Sequence, residues 1–153
     1  MRIHIASDHA AFDLKEHLVV HLREGGNEVV DHGPPSYQPE DDYPVHIIPA
    51  AQAVLVDPGS RGIVLGGSGN GEQMAAHRVP GIRAALVWSV ETARLARAHN
   101  DAQVMGIGAR MHTLDEATSL VDVFLSEPFS EDPRHVRRLQ IMADWEAAHV
   151  TVR

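Results

Sequence analysis

A run of glycines carries the strongest local indication of chemistry in this sequence. Four glycines lie within the six residues that begin at Gly66, and the run GGSGNGE ends at Glu72. Glycine lets the backbone approach a ligand closely, and the amides of such a loop, with the start of a following helix, attract negative charge. The run lacks the Lys-Ser/Thr of a Walker loop and the third glycine of the dinucleotide pattern. It predicts an anion-binding loop, with a plain turn between a strand and a helix as the alternative.

Two other segments carry acid–base groups. Asp8 and His9 directly follow the first apolar segment, and a carboxylate beside an imidazole can transfer protons. Asp8 is equally suited to cap the start of a helix, so this pair alone does not decide between the two roles. His99-Asn100 stands near the end of a helical pattern. Without further context it indicates a polar helix end.

Positive charge is concentrated near the carboxyl terminus. Arg134, His135 and Arg138 lie in one helical segment, with Arg134 and Arg138 four residues apart on the same face. In a chain of net charge −8, such a cluster suggests a phosphate ligand. A solvated helix face is an even alternative, because Asp132 stands just before the cluster. Arg110, after another apolar segment, is a further candidate for binding an anion.

Alternating strand and helix patterns must position these residues. Strands are predicted at Arg2–Ser7, Glu28–Asp31, Gly62–Leu65, Arg83–Trp88 and Gln103–Ile107. Helices are predicted around Leu14–Leu22, at Pro44–Val56 with a distortion at Pro49, at Glu72–Arg78, from the cap Ser89 to His99, after the capping box of Thr113, and at Arg134–His149. This alternation predicts an α/β fold with a five-stranded parallel sheet between two helical layers, in a single domain over 1–153. Ligands of such sheets bind at the carboxyl ends of the strands.

Composition excludes several classes of protein. A chain of 153 residues with 44% hydrophobic residues can form one ordinary core, and its net charge of −8 argues against nucleic-acid binding. The absence of Cys excludes disulfides, cysteine-based metal sites and a thiol nucleophile. No apolar run is long enough for a membrane span and no signal peptide is recognisable, so a cytoplasmic location is expected. His17 and His21 are four residues apart but lack a third ligand, so we expect no metal.

Together, these motifs resemble the ribose-5-phosphate isomerase B family, also called the sugar-phosphate isomerase B/galactose-6-phosphate isomerase family. The resemblance extends from about Met1 to His149, and its motifs are Asp8-His9, the GGSGNGEQ run, Arg83, His99-Asn100, Gly108-x-Arg110 and Arg134-His135-x-x-Arg138. It implies a Rossmann-like fold and cofactor-free isomerisation of D-ribose 5-phosphate to D-ribulose 5-phosphate. It also implies a homodimer, with a tetramer as the alternative, whose active sites combine residues of both subunits. The helix at about 133–149 is expected at the dimer interface.

The resemblance also implies roles for individual residues. Asp8 and His99 would help to open the sugar ring, and the loop from Gly67 to Gly71, with Ser68, would stabilise an enediolate. The positions associated with the phosphate are His9, Arg110, Arg134 and Arg138. The remaining substrate- or phosphate-binding positions are Tyr43, Gly67, Gly69, Asn70, Gly71, Asn100 and His135.

The base that moves the proton differs between branches of this family. One branch carries a Cys at the position of Gly66, and this chain has no Cys. A second branch carries a Glu at the end of the glycine loop, where this chain has Glu72. A carboxylate is a competent base for a proton next to a carbonyl, and it can carry the proton from C2 to C1 through a cis-enediolate. Glu72 is therefore the expected catalytic base.

The order of the elements separates His99 from Asp8. His99 and Asn100 precede the fifth predicted strand, whereas Asp8 follows the first, so they belong to opposite edges of a parallel sheet. A strand of five residues spans about 16 Å. We therefore expect His99 and Asn100 to act on a substrate bound by the partner subunit.

Three other interpretations remain open from the sequence. The first is an isomerase for a tetrose, allose or galactose phosphate, which the residues at 36–43 and around His9 would decide. The second is a regulatory module that binds phosphate or a nucleotide with the same loop. The third is a structural α/β domain whose polar residues are helix caps.

Overall fold

A five-stranded parallel sheet forms the centre of the structure, a computed structural model that describes residues 1–149. The strands are β1 (Arg2–Ser7), β2 (Glu28–Asp31), β3 (Arg61–Gly66), β4 (Ala84–Leu86) and β5 (Val104–Gly108). Their spatial order is β2-β1-β3-β5-β4, and every neighbouring pair is parallel. The order reverses between β1 and β3, which makes the carboxyl ends of these two strands the expected ligand site. Residues 150–153 of the predicted domain lie outside the described residues.

Helices cover both faces of this sheet. They are α1 (Phe12–Glu24), α2 (Pro44–Val56), α3 (Asn70–His77), α4 (Val90–Asn100), α5 (Leu114–Ser126) and α6 (Pro133–His149), and a short 3₁₀ helix spans His9–Ala11. Buried residues of α1, α4 and α5 form one apolar core with the sheet, and those of α2 and α3 form the other. The predicted three-layer αβα, Rossmann-like fold is thus confirmed. None of the helices within 1–149 has the length and apolar character of a membrane span.

Local signals in the sequence account for most helix boundaries. The Ser89 hydroxyl accepts from Thr92 N at the start of α4, and Thr113 and Glu116 form the predicted capping box of α5. Gly26, with φ of 80°, follows the end of α1 in the left-handed conformation that glycine tolerates. These caps satisfy amides and carbonyls that a helix leaves without internal partners.

The largest differences from the predicted boundaries are at β4 and α3, whereas α2 matches its prediction. Strand β4 covers only Ala84–Leu86, because Arg83 N donates to the side chain of Gln103 instead of to the sheet. Val87 N still donates to Gly106 O of β5 at 2.9 Å, and Trp88 N donates to the side chain of Thr92 at the start of α4. Helix α3 begins at Asn70, inside the glycine run. Pro49 lies within α2 without ending it, so the helix spans the whole predicted range.

Helix α6 projects most of its surface outward. His135 is its one buried residue within the described chain, whereas Val136, Ile141, Met142 and Trp145 are exposed. Between α6 and the β4 edge lies a groove of about 640 Å³, whose lining includes Ile82. Contiguous exposed apolar patches on a protein often mark surfaces that bind another protein.

The only lysine of the chain lies inside the protein. Lys15, on α1, has no exposed surface, and its ammonium group contacts the carboxylates of Asp31 and Glu16. Asp31 in turn accepts from Gly33 N at 2.8 Å. This partly buried ion pair therefore links α1 to the end of β2 and to the start of the loop that leads to Tyr43.

Candidate active site

A cleft of about 380 Å³ lies at the carboxyl ends of β1 and β3. It is lined by Asp8, Tyr43, Gly67, Ser68, Gly71, Glu72, Arg110 and Met111. All of these except Met111 are residues that the sequence singled out. The sheet thus gathers predicted site residues from four separate segments at the edge where a parallel α/β sheet binds its ligands.

Glu72 is the buried acid of this cleft. It lies in the first turn of α3 and is 4% exposed. Burial raises the pKa of its carboxyl group above the ordinary value of 4.5, and the nearby carboxylates of Asp8 and Asp41 raise the pKa further, against a backbone hydrogen bond that lowers it. A carboxylate with a raised pKa is a stronger base than an exposed one.

Gly66 makes room for that carboxyl group. A Cβ atom at position 66 would lie 2.0 Å from Glu72 Cδ and 2.2 Å from each of the two carboxylate oxygens. The carboxyl group of Glu72 therefore occupies the space that any side chain at position 66 would need. A cysteine at this position and the observed conformation of Glu72 exclude each other sterically.

The glycine loop is held against the end of β5. Ala109 N donates to Gly66 O at 2.8 Å, and Arg110 N donates to Gly67 O at 3.1 Å. Gly69, with φ of 78°, immediately precedes α3, and a Cβ atom there would lie 2.7 Å from the carbonyl carbon of Ile107. This close packing explains a glycine at position 69 and delivers the Arg110 side chain to the cleft.

Three loop side chains complete the rim of the cleft. The Ser68 hydroxyl accepts from the backbone amide of Asn70 at 3.3 Å and from its side-chain amide at 3.2 Å. Tyr43 packs on Gly71, where a Cβ atom would lie 2.8 Å from Tyr43 Cζ. Asn70 thus supports Ser68, and Gly71 leaves space for the tyrosine ring.

Asp8 caps a helix and also lines the cleft. One carboxylate oxygen accepts from Ala11 N at 3.1 Å and caps the 3₁₀ helix. The same residue lines the cleft and raises the pKa of Glu72. Capping holds the carboxylate at the carboxyl end of β1, where it can also contact a ligand.

His9 is held by a residue that the sequence analysis missed. Asp41 Oδ1 accepts from His9 N at 3.0 Å and from the ring Nδ1 at 2.8 Å. In the sequence, Asp41 belongs to an acidic run beside Tyr43 that is typical of a solvated loop. No spacing rule connects it to His9, 32 residues earlier, because the contact depends on the path of the loop.

A second group of predicted residues lies at the opposite end of the sheet. His99 and Asn100 end α4 and are exposed near the amino end of β5, as the order of elements predicts. The His99 ring lies 4.2 Å, centroid to centroid, from the ring of His135. Burial lowers the pKa of His135, and the neighbouring His99 lowers it further. Arg134 and Arg138 are exposed on the same helix as His135. The structure does not bring this group to the cleft of its own chain.

Arg83 supports the turn that carries His99 and Asn100. Its guanidinium donates to Asp101 Oδ2 at 2.9 Å, and Arg97 donates to Asp101 Oδ1 at 2.7 Å. Asp101 has φ of 42°, which places it in the left-handed region that few residues other than glycine adopt. The two arginines thus stabilise an unfavourable backbone conformation directly after the predicted His-Asn pair.

The His, Asp and Glu side chains of residues 1–149 do not gather into a metal site. Within 1–149, no group of three or more His, Asp or Glu side chains is arranged to hold a metal ion. His17 and His21 instead form hydrogen bonds with Thr118 and Asp122 of α5.

Comparison of the sequence with known families identifies its relatives. Residues 3–142 match the family model described as Ribose/Galactose Isomerase. The chain is 55% identical over 149 residues to ribose-5-phosphate isomerase B of Mycolicibacterium paratuberculosis, covering 97% of this chain and 94% of that protein. It is 37% identical to ribose-5-phosphate isomerase B of Escherichia coli K12, covering 91% and 92% of the two chains.

Solved structures show the same relationship. Ribose-5-phosphate isomerase B of Clostridium thermocellum superimposes with a TM-score of 0.93 at 37% identity, covering 98% of this chain and 100% of that one. Ribose-5-phosphate isomerase B of Mycoplasma genitalium, with bound ribulose 5-phosphate, superimposes with a TM-score of 0.91 at 38% identity, covering 95% and 96%. This chain therefore belongs to the ribose/galactose isomerase family, among the ribose-5-phosphate isomerases B.

Proposed function

We propose that the protein is an aldose–ketose isomerase that interconverts D-ribose 5-phosphate and D-ribulose 5-phosphate. The observation that carries this proposal is the carboxyl group of Glu72, buried against Gly66 in a cleft that also contains Asp8 and Arg110. Relatives named ribose-5-phosphate isomerase B, one of them with bound ribulose 5-phosphate, support the choice of a C5 substrate.

In the proposed mechanism, Glu72 transfers one proton between two carbons. It removes the proton from C2 of the open-chain aldose, which gives a cis-enediolate with negative charge on O1. It then returns the proton to C1, while the O2 proton passes to O1 and the carbonyl forms at C2. Amides of the glycine loop and the Ser68 hydroxyl would stabilise the charge on oxygen. The raised pKa of Glu72 supports its role as the base.

The phosphate end of the substrate needs concentrated positive charge in an acidic protein. Arg110 lies in the cleft, where a Cβ atom on Gly67 would be 3.4 Å from Arg110 Nη1. Guanidinium groups bind phosphate with two parallel hydrogen bonds. We propose that Arg110 and His9 act from the same chain, and that Arg134 and Arg138 act from a partner subunit.

A homodimer accounts for the residues that lie far from the cleft. The exposed apolar side of α6, with Ile141, Met142 and Trp145, offers a surface that a second copy would cover. His99, exposed at the amino edge of the sheet, would then enter the partner's cleft and assist ring opening together with Asp8.

Mixed dimers test the contribution of His99 across subunits. Glu72→Ala and His99→Ala proteins, each inactive alone, are expected to regain about a quarter of wild-type activity after refolding together, because about half of the dimers are mixed and each has one complete site. Turnover of ribose 5-phosphate after co-refolding measures this. Mixing each variant with itself is the control, and activity no higher than in these controls would contradict action across subunits.

The proposed activity itself is tested with a series of substrates. Ribose 5-phosphate is expected to give the highest kcat/KM, above allose 6-phosphate, galactose 6-phosphate and erythrose 4-phosphate, and a chelator is expected to leave turnover unchanged. Calorimetry with nucleotides is expected to show no binding. A C4 or C6 phosphate as the best substrate would reassign the specificity. Nucleotide binding without isomerisation would show that the protein is a regulatory module rather than an isomerase.

A further inference from the structure

The contact between Asp41 and His9 is the most unusual polar arrangement near the cleft. The Asp41 side chain is only 2% exposed, whereas that of His9 is 32% exposed. Both hydrogen bonds of Asp41 go to the single oxygen Oδ1, which accepts from the backbone and the ring of the same histidine. Asp41 Oδ2 is buried and has no hydrogen-bond partner within the described residues.

Stability alone does not account for this carboxylate. Burying a carboxylate with one oxygen unpaired is unfavourable, and buried polar groups in native proteins are usually satisfied. Like-charge proximity adds to the cost, since Asp41 also raises the pKa of Glu72. Asp41 forms two hydrogen bonds with His9 despite this unfavourable burial. Its effect on His9 is therefore the most direct explanation for a carboxylate at this position.

The contact determines which nitrogen of His9 can meet a ligand. A carboxylate only accepts, so the ring must donate from Nδ1, and Nε2 is left as the nitrogen without a hydrogen bond in the described chain. The ring of Tyr37 stands edge-on to the His9 ring at 6.5 Å between centroids. The imidazole is therefore restrained on one side by an ion and on another by an aromatic ring.

The segment that carries His9 lies close to Arg110 at the glycine loop. The next residue, Ala10, lies beside the glycine loop, where a Cβ atom on Gly67 would be 3.6 Å from Ala10 Cβ and 3.4 Å from Arg110 Nη1. The segment that carries His9 and the side chain of Arg110 thus converge on the same glycine.

We propose that Asp41 is a positioning residue, which holds the Nδ1–H tautomer and the orientation of His9 so that Nε2 faces the phosphate group of the substrate. A neutral ring of this tautomer only accepts at Nε2, so the imidazolium form, whose Nδ1–H Asp41 also holds, is the one that donates from Nε2 to a phosphate oxygen. The arrangement is a carboxylate–imidazole pair used for binding rather than for nucleophilic attack, and Asp41 acts only through His9. The functional part of this inference rests on the proposed isomerase activity, whereas the tautomer of His9 does not.

Kinetics of single and double variants test the proposal. Asp41→Ala is expected to raise KM for ribose 5-phosphate about tenfold while changing kcat less than about threefold. Asp41→Asn, which keeps an acceptor oxygen, is expected to lie between it and the wild type. His9→Ala is expected to match Asp41→Ala, and the double variant to be no worse than either single one. Asp42→Ala, at the exposed neighbouring position, is the matched control and is expected to leave KM unchanged.

Nitrogen-15 NMR of the histidine side chains provides a readout that does not depend on turnover. In the wild type, His9 is expected to carry its proton on Nδ1 when neutral, and its signal is expected to shift when inorganic phosphate is added. In Asp41→Ala the neutral ring is expected to return to the Nε2–H form that free imidazole side chains favour. An unchanged tautomer in Asp41→Ala, or additive losses of activity in the double variant, would overturn the proposal. An inactive wild type would refute the isomerase activity and leave the NMR result to decide the role of Asp41.

Discussion

Glu72→Gln is expected to lower kcat for ribose 5-phosphate by roughly 10³-fold, the middle of the range for loss of a general base. Glutamine has the same shape as glutamate and fits the space against Gly66, but its amide cannot take the C2 proton. Substrate should therefore still bind, with an affinity within about threefold of the wild type. Loss of proton exchange at C2 in deuterated water, followed by NMR, measures the step itself.

The raised pKa of Glu72 predicts how activity and stability change with pH, and Glu72→Gln should alter both dependences. Burial raises this pKa above 4.5, so the ionised base is lost as the pH falls through the raised value, and kcat/KM of the wild type should fall with it. Because the folded protein binds this proton more tightly than the unfolded chain, the free energy of unfolding decreases as the pH rises from 4.5 through the raised pKa.

Glu72→Gln removes the unfavourable free energy of burying an ionised carboxylate. The variant should therefore melt at a higher temperature than the wild type at neutral pH. The difference should vanish in acid, where Glu72 is protonated in both the folded and the unfolded state. Near-normal turnover in Glu72→Gln would refute the assignment of the base. A lower melting temperature at neutral pH would show that the carboxylate stabilises the fold.

Gly66→Ala is expected to lower kcat at least 100-fold, because the base can no longer occupy its place. The added methyl group would overlap the carboxyl group of Glu72, with a Cβ–Cδ distance of 2.0 Å. The clash is with the end of a flexible side chain rather than with backbone, so the fold should survive while Glu72 moves. Turnover together with far-UV circular dichroism separates loss of the base from loss of structure.

Two comparisons make this result specific to Glu72. Gly25→Ala changes a glycine with φ of −72° at the end of α1, whose nearest contacts would be ordinary at 3.4 Å, and it should leave kcat unchanged. Gly66→Ala combined with Glu72→Ala should be no less active than Glu72→Ala alone, since both changes remove the same group. A Gly66→Ala enzyme with wild-type kcat would show that the position of the carboxyl group is not important.

Much of the fold follows from local patterns in the sequence. Strands β1 and β2 and helix α2 have the predicted boundaries, because alternating apolar runs and clear end signals determine them. Strand β4 was predicted too long. Its first residue is decided by the side chain of Gln103, which accepts from Arg83 N in place of the sheet. Such competition depends on a tertiary contact and leaves no periodic signal.

Some residues of the candidate site could likewise be predicted from the sequence, and others could not. Asp8, Glu72 and Arg110 could be predicted, since they follow strands whose carboxyl ends meet at one edge. The role of Asp41 could not, because it depends on how a polar loop returns over the first strand. The competition between Gly66 and Glu72 for one space was equally hidden, since their separation in sequence says nothing about which way the carboxyl group turns.

The burial of Lys15 has a consequence for chemical probing of this protein. Reagents that acylate amines find no lysine on the folded surface, where the positive side chains are arginines. Acylation of Lys15 requires that its contact with Asp31 open, together with the packing of α1 on β2. The rate at which a small amine reagent modifies this one residue therefore reports the opening of that layer, in the way that hydrogen exchange reports it for backbone amides.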